Sequence, residues 1–567
     1  MPRYRMIALA IAMSIPGLGL SSLATAATEG LPFKIIAFDV TYDIHSDGSY
    51  TETIHEVSSP LSQYGVQKYG QIRKQYPAEL ADLQVIKAYT KSPTGQIYPV
   101  ARDKIFTRTL PEAQNAPEFS DAKAITVVFP HVAVGDELVS DWRKDFKKPY
   151  FPNEVSISHT VPYFLQADQD LIVVHAPADM KLHWEGTGGF QVSRSVQGGV
   201  QTLTATLQQP HAQPIQTNAV SFYQVSPTFT VSTFANWQSI GNAYWKYAQA
   251  AEEVTPKVQA LANQIVGNQS GEAAVRALYD WTVHNIRWVG VETGLSGYKP
   301  FPADTTLAQR YGDCKAAAAL LVALLHAKGI SAQPVLLGAG TDFEWQRVAN
   351  LQSINHVIVY VPAYHLFLDA TSGYAAAGSI PLPDAYHPVI LVGAHSETAR
   401  TPGDEAKASG TTGMETVSIS KDGSLSAKET LQLTGYQAWI WKDLLARVPK
   451  SEYEAVLHQL MAQSGLMTQS AQLETSPTDT LRDPFTLQAT WTSAPGAPLS
   501  AASTIQPHYG LNPASLRALT ARLTSATVRY PVFMPYGHAE WVAQLTLPEG
   551  FTWKQPPASQ SIKNAAG

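Results

Sequence analysis

The feature that most constrains the fold is an unbroken apolar run, Ala316 to Leu325, which closely follows the only cysteine of the chain, Cys314. Read as a helix, this run is apolar on every side, and such a helix is buried in the core of a domain. Gly312 and Asp313 precede it as a turn residue and a good N-cap, and Lys328-Gly329 ends it with a left-handed cap. The sequence therefore predicts a buried helix that presents Cys314 at its N-terminus.

A lone thiol cannot form an internal disulfide, so packing alone must hold the 567-residue chain together. At roughly 100–200 residues per domain, the chain has room for several domains. Its hydrophobic fraction of 45% and charged fraction of 15% suit globular domains with sizeable cores. The net charge of −6 and the lack of a Lys/Arg run argue against a nucleic-acid partner, which usually demands a concentrated basic surface.

The N-terminus has the three-part pattern of a secretory signal peptide. Arg3 and Arg5 precede an apolar stretch from about Met6 to Leu20, and Ala24-Thr25-Ala26 offers a cleavage site. The stretch is shorter than the roughly 20 residues of a membrane-spanning helix, and an uncleaved anchor is the alternative interpretation. We therefore predict a signal peptide over residues 1–26. The mature protein is expected to be periplasmic or secreted, without stable membrane insertion.

Changes in residue pattern divide the rest of the chain. Residues 30–235 alternate β-rich segments with turns, which predicts an N-terminal β-sandwich domain. Over residues 240–397, amphipathic helical stretches precede further strands, which predicts an α+β domain. Small, polar and Pro/Gly-bearing residues predict a linker over 398–413. Residues 414–567 are predicted to be a mostly β domain with a helix from about Tyr436 to Gly465, so the expected fold class is multidomain α+β.

The predicted position of Cys314 is the setting of a nucleophile. Unpaired backbone N–H groups and the helix dipole favour a thiolate at a helix N-terminus, and the same N–H groups can stabilise an oxyanion. Taken alone, such a cysteine is more often a packed core residue. A cysteine nucleophile also needs a histidine to activate it and a third group to orient that histidine.

His356 and Asp369 are the candidates for these two roles. His356 begins one strand candidate, and Asp369 ends the next one. If the hairpin that joins them is centred on Pro362-Ala363, Tyr360 lies opposite His365 and His356 lies opposite Asp369. Directly opposed residues have Cβ atoms about 4.5–5.5 Å apart, within reach of an imidazole–carboxylate hydrogen bond. A slip of one residue would move the carboxylate to the other face of the hairpin.

Three motifs, in this order, resemble the bacterial transglutaminase-like superfamily, whose core is similar to that of papain-like cysteine proteases. They are Tyr311-Gly312-Asp313-Cys314-Lys315, Ile354-Asn355-His356-Val357-Ile358-Val359 and Phe367-Leu368-Asp369-Ala370-Thr371. Residues 285–292 and 297–300 resemble the subgroup in which this core follows an N-terminal β domain of unknown function. The resemblance implies that Cys314, His356 and Asp369 form a catalytic triad.

The resemblance also implies roles for two aromatic residues. Trp288 and Tyr298 are candidates for lining the cleft or helping to form an oxyanion hole, and for Trp288 core packing is the favoured alternative. The chain departs from the subgroup at Ala316-Ala317, where Asp-Lys is usual, so a charge pair at the cleft rim is lost. This departure bears on substrate binding and not on the nucleophile.

The function predicted from these residues is cysteine-dependent acyl transfer on amide bonds of a protein or peptide substrate, cell-envelope material included. Transfer to water would make the protein a protease or deamidase, and transfer to an amine would make it a transglutaminase. No cofactor is predicted. No metal site is predicted either, because the sequence lacks a Cys/His cluster that would supply three or four convergent ligands. The alternative is a non-catalytic extracytoplasmic binding or scaffold protein with an inactive core.

Overall fold

The computed structural model describes residues 31–110, 121–208, 212–216, 219–290, 297–403, 409–463, 465–500, 503, 511, 528–532 and 537–553. The predicted signal peptide and residues 404–408 of the predicted linker lie outside these ranges. The chain forms two compact units: the first holds the described residues up to 403 together with 528–532, and the second holds the remainder. None of the helices in this part of the chain is both long enough and apolar enough to cross a membrane.

Extensive β structure forms the N-terminal half of the first unit, interrupted by two short helices, α1 (Gln63–Tyr69) and α2 (Phe222–Val225). The strands are β1 (Phe33–Ile44), β2 (Tyr50–Pro60), β3 (Gln71–Pro77), β4 (Ala81–Lys91), β5 (Ile97–Pro99), β6 (Ile105–Thr109), β7 (Ala122–Val128), β8 (Glu137–Phe146), β9 (Ser156–Thr160), β10 (Gln166–Ala167), β11 (Gln169–Pro177), β12 (His183–Gly186), β13 (Gln191–Gln197), β14 (Val200–Gln208) and β15 (Thr228–Ser232).

These strands form three sheets around one core. The largest has the order β13-β14-β11-β1-β2-β8-β4-β5, with β10 paired to β1, and the smaller ones are β3-β7-β6 and β12-β15-β9. In β14, buried positions alternate with more exposed ones, as in a strand with one face on a core. Trp142 and Ile172 of the large sheet share a hydrophobic cluster with Val127 and Phe229 of the smaller sheets. The sheets therefore pack face to face, which is the arrangement of a β-sandwich.

The rest of the first unit is an α+β region built around one antiparallel sheet, β20-β19-β18-β21-β22. Its helices are α3 (Trp237–Ala251), α4 (Pro256–Val266), α5 (Gly271–Asn285), α6 (Ala303–Gln309) and α7 (Cys314–Ala327). Its strands are β16 (Arg287–Trp288), β17 (Tyr311–Gly312), β18 (Gln333–Leu337), β19 (His356–Val361), β20 (Leu366–Leu368), β21 (Pro388–Leu391) and β22 (Glu397–Arg400).

Helix α7 is the predicted apolar helix, and the structure explains why it is apolar on every side. It contacts α3, α4, α5 and α6 as well as β18 and β19. Every residue from Cys314 to Leu325 is buried. Asp313 is its N-cap, and Gly329 follows its end with a φ of 70°, as predicted. The helix is therefore the central element of this region.

In the residues that the structure describes, the second unit is a five-stranded sheet with two α-helices. Its elements are β23 (Gly410–Ile419), β24 (Leu425–Thr434), α8 (Gly435–Ala446), α9 (Tyr453–Gln463), β25 (Thr468–Thr475), β26 (Phe485–Ser493) and β27 (His538–Thr546). The sheet order is β25-β26-β24-β23-β27, and only β23 and β27 run parallel among these described neighbours. Trp441 of α8 and Leu457 of α9 share a core with Leu431 and Leu487 of the sheet.

Two sequence predictions around the second unit are wrong. Both ends of the predicted linker 398–413 are strands, because residues 398–400 belong to β22 and 410–413 to β23. The single helix predicted from Tyr436 to Gly465 is two helices, α8 and α9. Pro449 lies between them, and its ring and missing N–H prevent a helix from continuing through it.

Residues 528–532 belong to the first unit, so the region predicted as one C-terminal domain, 414–567, is not contiguous. Gln216 holds this segment with its side-chain amide. Its Oε1 accepts from the N–H groups of Arg529 (2.7 Å) and Tyr530 (3.1 Å), and its Nε2 donates to the carbonyl of Tyr530 (2.9 Å). A glutamine side chain offers both donors and an acceptor. It can therefore pair with backbone N–H and C=O groups of this segment, as the backbone of a neighbouring strand would.

Candidate active site

Cys314 is the first residue of α7 and is only 2% exposed. Asp313 fixes this end of the helix, because its Oδ1 accepts from the N–H of Ala316 at 2.9 Å. The Oδ2 atom of Asp313 lies 2.7 Å from Nζ of Lys315, and both side chains are buried. Gly312 is required by close packing, since a Cβ atom there would lie 2.8 Å from Cβ of Ala316. These contacts determine where the thiol lies.

His356 begins β19, and its Nε2 lies 3.4 Å from Oδ2 of Asp369. The distance is longer than an ordinary hydrogen bond of about 2.7–3.2 Å, as is common for catalytic pairs without substrate. Thr371 donates from its N–H (2.8 Å) and its Oγ1 (2.7 Å) to Oδ1 of Asp369. Tyr279 of α5 donates to the main-chain carbonyl of Asp369 at 3.2 Å. Thr371 thus holds the carboxylate and Tyr279 holds the main chain of Asp369, with one carboxylate oxygen toward the imidazole.

The hairpin register differs from the predicted one by two residues. Phe367, not His365, lies opposite Tyr360, because the turn is longer and closes with His365 at a φ of 53°. Side chains alternate between faces with a period of two, so a shift of two residues preserves the face. Asp369 therefore stays on the same face as His356, diagonal to it instead of directly opposite.

The structure also brings the thiol to this pair, since Cys314 is near enough to the imidazole of His356 to raise its pKa. Burial alone would lower the pKa of His356. The negative charges of Asp369 and then Asp384, together with the hydrogen-bonding contributions of Asp369 and Cys314, raise this pKa well above its usual range.

The pKa of Asp369 is shifted in the opposite direction to that of His356. Burial alone would raise its pKa, but the positive charge of His356 and the hydrogen bonds from His356 and Thr371 hold it below its usual range. The two shifts agree with each other, because each group stabilises the charged form of the other. The site therefore favours an imidazolium paired with a carboxylate.

Asp384 is a further buried acid at this site, and the sequence analysis missed it. It ends a 3-10 turn, Leu382–Asp384, and is 2% exposed. Burial, and then the negative charge of Asp369, raise the pKa of Asp384 well above its usual range, with His356 acting in the opposite direction. No periodicity or motif marks this residue, since it lies in a Pro-Leu-Pro-Asp loop between strands.

His356, Asp369 and Asp384 are also the described residues that could hold a metal ion. One potential ligand atom from each lies within 4.8 Å of the other two. Imidazole and carboxylate are ligands that Zn²⁺ and related metals accept. The charges of the same three side chains can also be balanced without a metal, because the imidazolium pairs with one carboxylate and a proton can neutralise the other.

Trp288 lies beside the turn that carries Cys314. In the short parallel pair β16–β17, Trp288 is aligned with Gly312, and the N–H of Val289 donates to the carbonyl of Gly312 at 2.9 Å. Its side chain is 38% exposed, so the core-packing alternative is wrong. An exposed indole at this position is available to a substrate.

Tyr298 is partly buried and packs within an aromatic cluster. Its ring centroid lies 4.8 Å from that of Tyr150 and 5.6 Å from that of Phe151, and its hydroxyl donates to the carbonyl of Leu351 at 3.2 Å. These contacts join the segment after β16 to the N-terminal β region. The predicted cleft-lining role of Tyr298 stays a prediction.

Comparison with known protein families agrees with the motifs and the fold. Residues 46–214 match a domain of unknown function with a solved structure (DUF3857), and residues 259–365 match the transglutaminase-like superfamily. The chain carries a transglutaminase-like core behind a DUF3857 domain. This confirms both the resemblance and the predicted multidomain α+β class.

One solved structure extends the likeness of this transglutaminase-like chain beyond the two matched regions. A provisionally named protease from Parabacteroides distasonis superposes with a TM-score of 0.60 at 15% identity, over 83% of this chain and 95% of that one. At this identity the likeness shows the fold alone. No curated protein matches the chain with significant similarity.

Two further structures are too dissimilar to carry an argument. A provisionally named cysteine protease from Cytophaga hutchinsonii has a TM-score of 0.19 at 14% identity, over 44% of this chain and 87% of that one. An M1 zinc metallopeptidase from Deinococcus radiodurans has a TM-score of 0.21 at 14% identity, over 35% and 42%.

Proposed function

We propose that this chain is an exported, cysteine-dependent acyl-transfer enzyme that acts on amide bonds of proteins or peptides, with Cys314, His356 and Asp369 as its catalytic triad. The observation that carries the proposal is the placement of the thiol at the N-terminus of α7 beside an imidazole that a buried carboxylate orients. Nucleophile, base and orienting group are the three parts that covalent catalysis requires.

In the proposed reaction, the thiolate of Cys314 attacks the carbonyl carbon of the amide and forms a tetrahedral intermediate. His356 gives its proton to the leaving nitrogen, the C–N bond breaks, and a thioester remains on Cys314. His356 then accepts a proton from the incoming acceptor, which attacks the thioester and releases the thiol. Asp369 keeps the imidazole in the required tautomer throughout and stabilises its protonated form.

The oxyanion of the intermediate needs donors near the N-terminus of α7. The backbone N–H of Cys314 is proposed as one donor, because N–H groups in the first turn of a helix lack partners within the helix. The indole N–H of Trp288 is proposed as the other, because this residue lies beside Gly312 and is exposed.

The acceptor distinguishes hydrolysis from transamidation, and both remain part of the proposal. Water requires no dedicated second site, whereas an amine requires a groove that excludes water. Casein incubated with the purified protein, with and without a fluorescent primary amine, separates the two outcomes. New casein fragments indicate a protease, released ammonia without fragments indicates a deamidase, and fluorescent casein indicates a transglutaminase.

The decisive variants are Cys314→Ala and His356→Ala, with His365→Ala as a matched control in the same hairpin. Cys314→Ala should abolish turnover, and His356→Ala should lower it by roughly 10²–10⁴-fold. His365→Ala should retain it, because His365 hydrogen-bonds only with Tyr360 among the described side chains. Full turnover by Cys314→Ala would contradict the proposed mechanism.

A scaffold with an inactive core is the second candidate, and the burial of Cys314 favours it. Alkylation by iodoacetamide distinguishes the two candidates, because a catalytic thiol reacts quickly near neutral pH and a packed one does not. A slow, featureless reaction over the whole pH range would support the scaffold.

Export is tested separately. Mass spectrometry of the mature N-terminus after cell fractionation should find residue 27 first, in the periplasmic or secreted fraction, if residues 1–26 are a cleaved signal peptide. An intact N-terminus in the cytoplasmic fraction would contradict this part of the proposal.

A further inference from the structure

A catalytic triad uses one carboxylate, yet this site buries two. Asp369 and Asp384 are 6% and 2% exposed, and carboxylate oxygens of the two residues lie within 4.8 Å of each other and of a ring nitrogen of His356. Burying a second ionised carboxylate in such a place is costly unless it is paired or neutralised. The proposed mechanism gives Asp384 no task, so its presence needs another explanation.

The charges that face Asp384 do not suffice to neutralise it. His356, Asp369 and, from α5, Tyr279 are the titratable groups that act on it. Among the described residues, no lysine or arginine forms an ion pair with Asp384. A single imidazolium therefore has two carboxylates beside it, and one of the two carboxyls must carry a proton.

The hydrogen bonds decide which carboxyl carries that proton. Oδ1 of Asp369 accepts two hydrogen bonds from Thr371, which stabilise its ionised form. Oδ2 of Asp384 is buried and has no hydrogen-bond donor among the described residues. An oxygen without a donor is the better place for a proton, because as O–H it can itself donate to a neighbouring carboxylate.

We propose that Asp384 is a positioning residue that stays protonated at neutral pH and donates a hydrogen bond to Asp369, which in turn orients His356. This inference rests on the proposed function and adds a fourth side chain to its site. A hydrogen bond to an ionised acceptor is stronger than one between neutral groups, so it restricts the carboxylate. The raised pKa of Asp384 agrees with the geometry.

The proposal has a consequence at alkaline pH. When Asp384 loses its proton, the hydrogen bond to Asp369 is lost and a second negative charge appears near His356. This charge disfavours the thiolate of Cys314 by repulsion. Asp384→Asn keeps a donor of similar shape that cannot ionise, Asp384→Ala removes the donor, and Asp342→Asn makes the same carboxyl-to-amide change in the loop after β18.

The test measures alkylation of Cys314 by iodoacetamide across pH, followed by intact mass, so it requires no substrate. Near neutral pH, Asp384→Asn and Asp342→Asn should react like the wild type. Asp384→Ala should react about tenfold more slowly, as expected when one charge-assisted hydrogen bond is lost. At alkaline pH, the wild type and Asp342→Asn should fall behind Asp384→Asn. Identical profiles for all four proteins would overturn the proposal.

Infrared spectroscopy tests the proton directly and does not depend on Asp384→Ala folding. At neutral pH, the difference spectrum of wild type minus Asp384→Asn should contain a protonated-carboxyl band. Absence of that band would overturn the proposal, as would stoichiometric Zn²⁺ binding by the wild type that Asp384→Asn abolishes, because a cation would then neutralise the site. A wild-type thiol that does not react faster than free cysteine would instead contradict the proposed function itself.

Discussion

At the scale of single residues, His356 and its two acidic neighbours should determine how stability depends on pH. The pKa of His356 is raised in the folded state, so its stabilising effect is complete below about 6.5, its value in the unfolded chain. That effect is lost as pH rises through the folded-state value. The raised pKa of Asp384 acts in the same direction, because the unfolded chain releases this proton at a lower pH than the folded chain does, so rising pH favours unfolding.

We therefore expect the free energy of unfolding to fall on the alkaline side of neutrality. His356→Gln should flatten this part of the profile, because glutamine cannot carry the charge that pairs with Asp369. His365→Gln should leave the profile unchanged. Urea unfolding at a series of pH values measures all three proteins, and equal alkaline slopes for wild type and His356→Gln would contradict the assignment.

Trp288 gives a second prediction at this scale, because an exposed donor and a buried packing residue behave differently when changed. Trp288→Phe keeps an aromatic ring but removes the indole N–H. We expect kcat to fall by roughly 10²-fold, as for loss of one oxyanion donor. The midpoint of thermal unfolding should hardly move, since the side chain is 38% exposed. A large loss of stability with normal kcat would assign Trp288 to packing.

The residues of the site differ in how far sequence could predict them. Cys314 is marked by its helix cap, and His356 and Asp369 are marked by their strand ends. Asp384 carries no local signal, because its role depends on a loop that returns to the sheet after β20. Only the three-dimensional path of the chain brings it beside Asp369.

At the scale of elements, the N-terminus of α7 combines a cap with a buried ion pair, and the two can be separated. Asp313→Asn should retain the cap but lose the ion pair with Lys315, which costs roughly 3 kcal/mol when a buried partner is removed. Asp313→Ala should cost about 1 kcal/mol more, because the cap is lost as well. Urea unfolding measures both variants, and equal stabilities would show that the cap contributes nothing.

The hairpin β19–β20 shows why the alternation of side chains predicts the face on which a residue lies better than it predicts which residue lies opposite. The alternation of side chains specified the face of His356 and Asp369, whereas the register depended on a left-handed residue in the turn, His365. A turn of this kind is a matter of backbone conformation, which residue types at those positions only weakly favour. The two-residue error in the predicted register therefore left the contact between His356 and Asp369 in place.

The predicted linker and long helix failed for a related reason. Small and polar residues suggest a loop, but β22 pairs with β21, and β23 pairs with β24 and with the distant strand β27. The apolar content of residues 436–465 correctly indicates helix, yet Pro449 divides the segment into two helices. Tertiary pairing and one proline thus account for both errors.

At the scale of the whole molecule, the segment 528–532 should contribute to the stability of the first unit through Gln216. Gln216→Ala leaves two N–H groups and one carbonyl without this partner, which should cost about 2 kcal/mol. Gln238→Ala is the matched control, because its amide makes one long contact, 3.4 Å, with Thr398. Calorimetry should show an earlier transition for Gln216→Ala alone, and equal melting of both variants would contradict this role.

The return of residues 528–532 to the first unit also has a consequence for biosynthesis. Domains commonly fold one after another as they leave the ribosome, the N-terminal one first. Here the unit that contains Cys314 can be completed only after strands β23 to β26 have been translated. A nascent chain arrested anywhere before residue 528 would leave the amide of Gln216 without its partners, so completion of the first unit indicates that translation has passed residue 532.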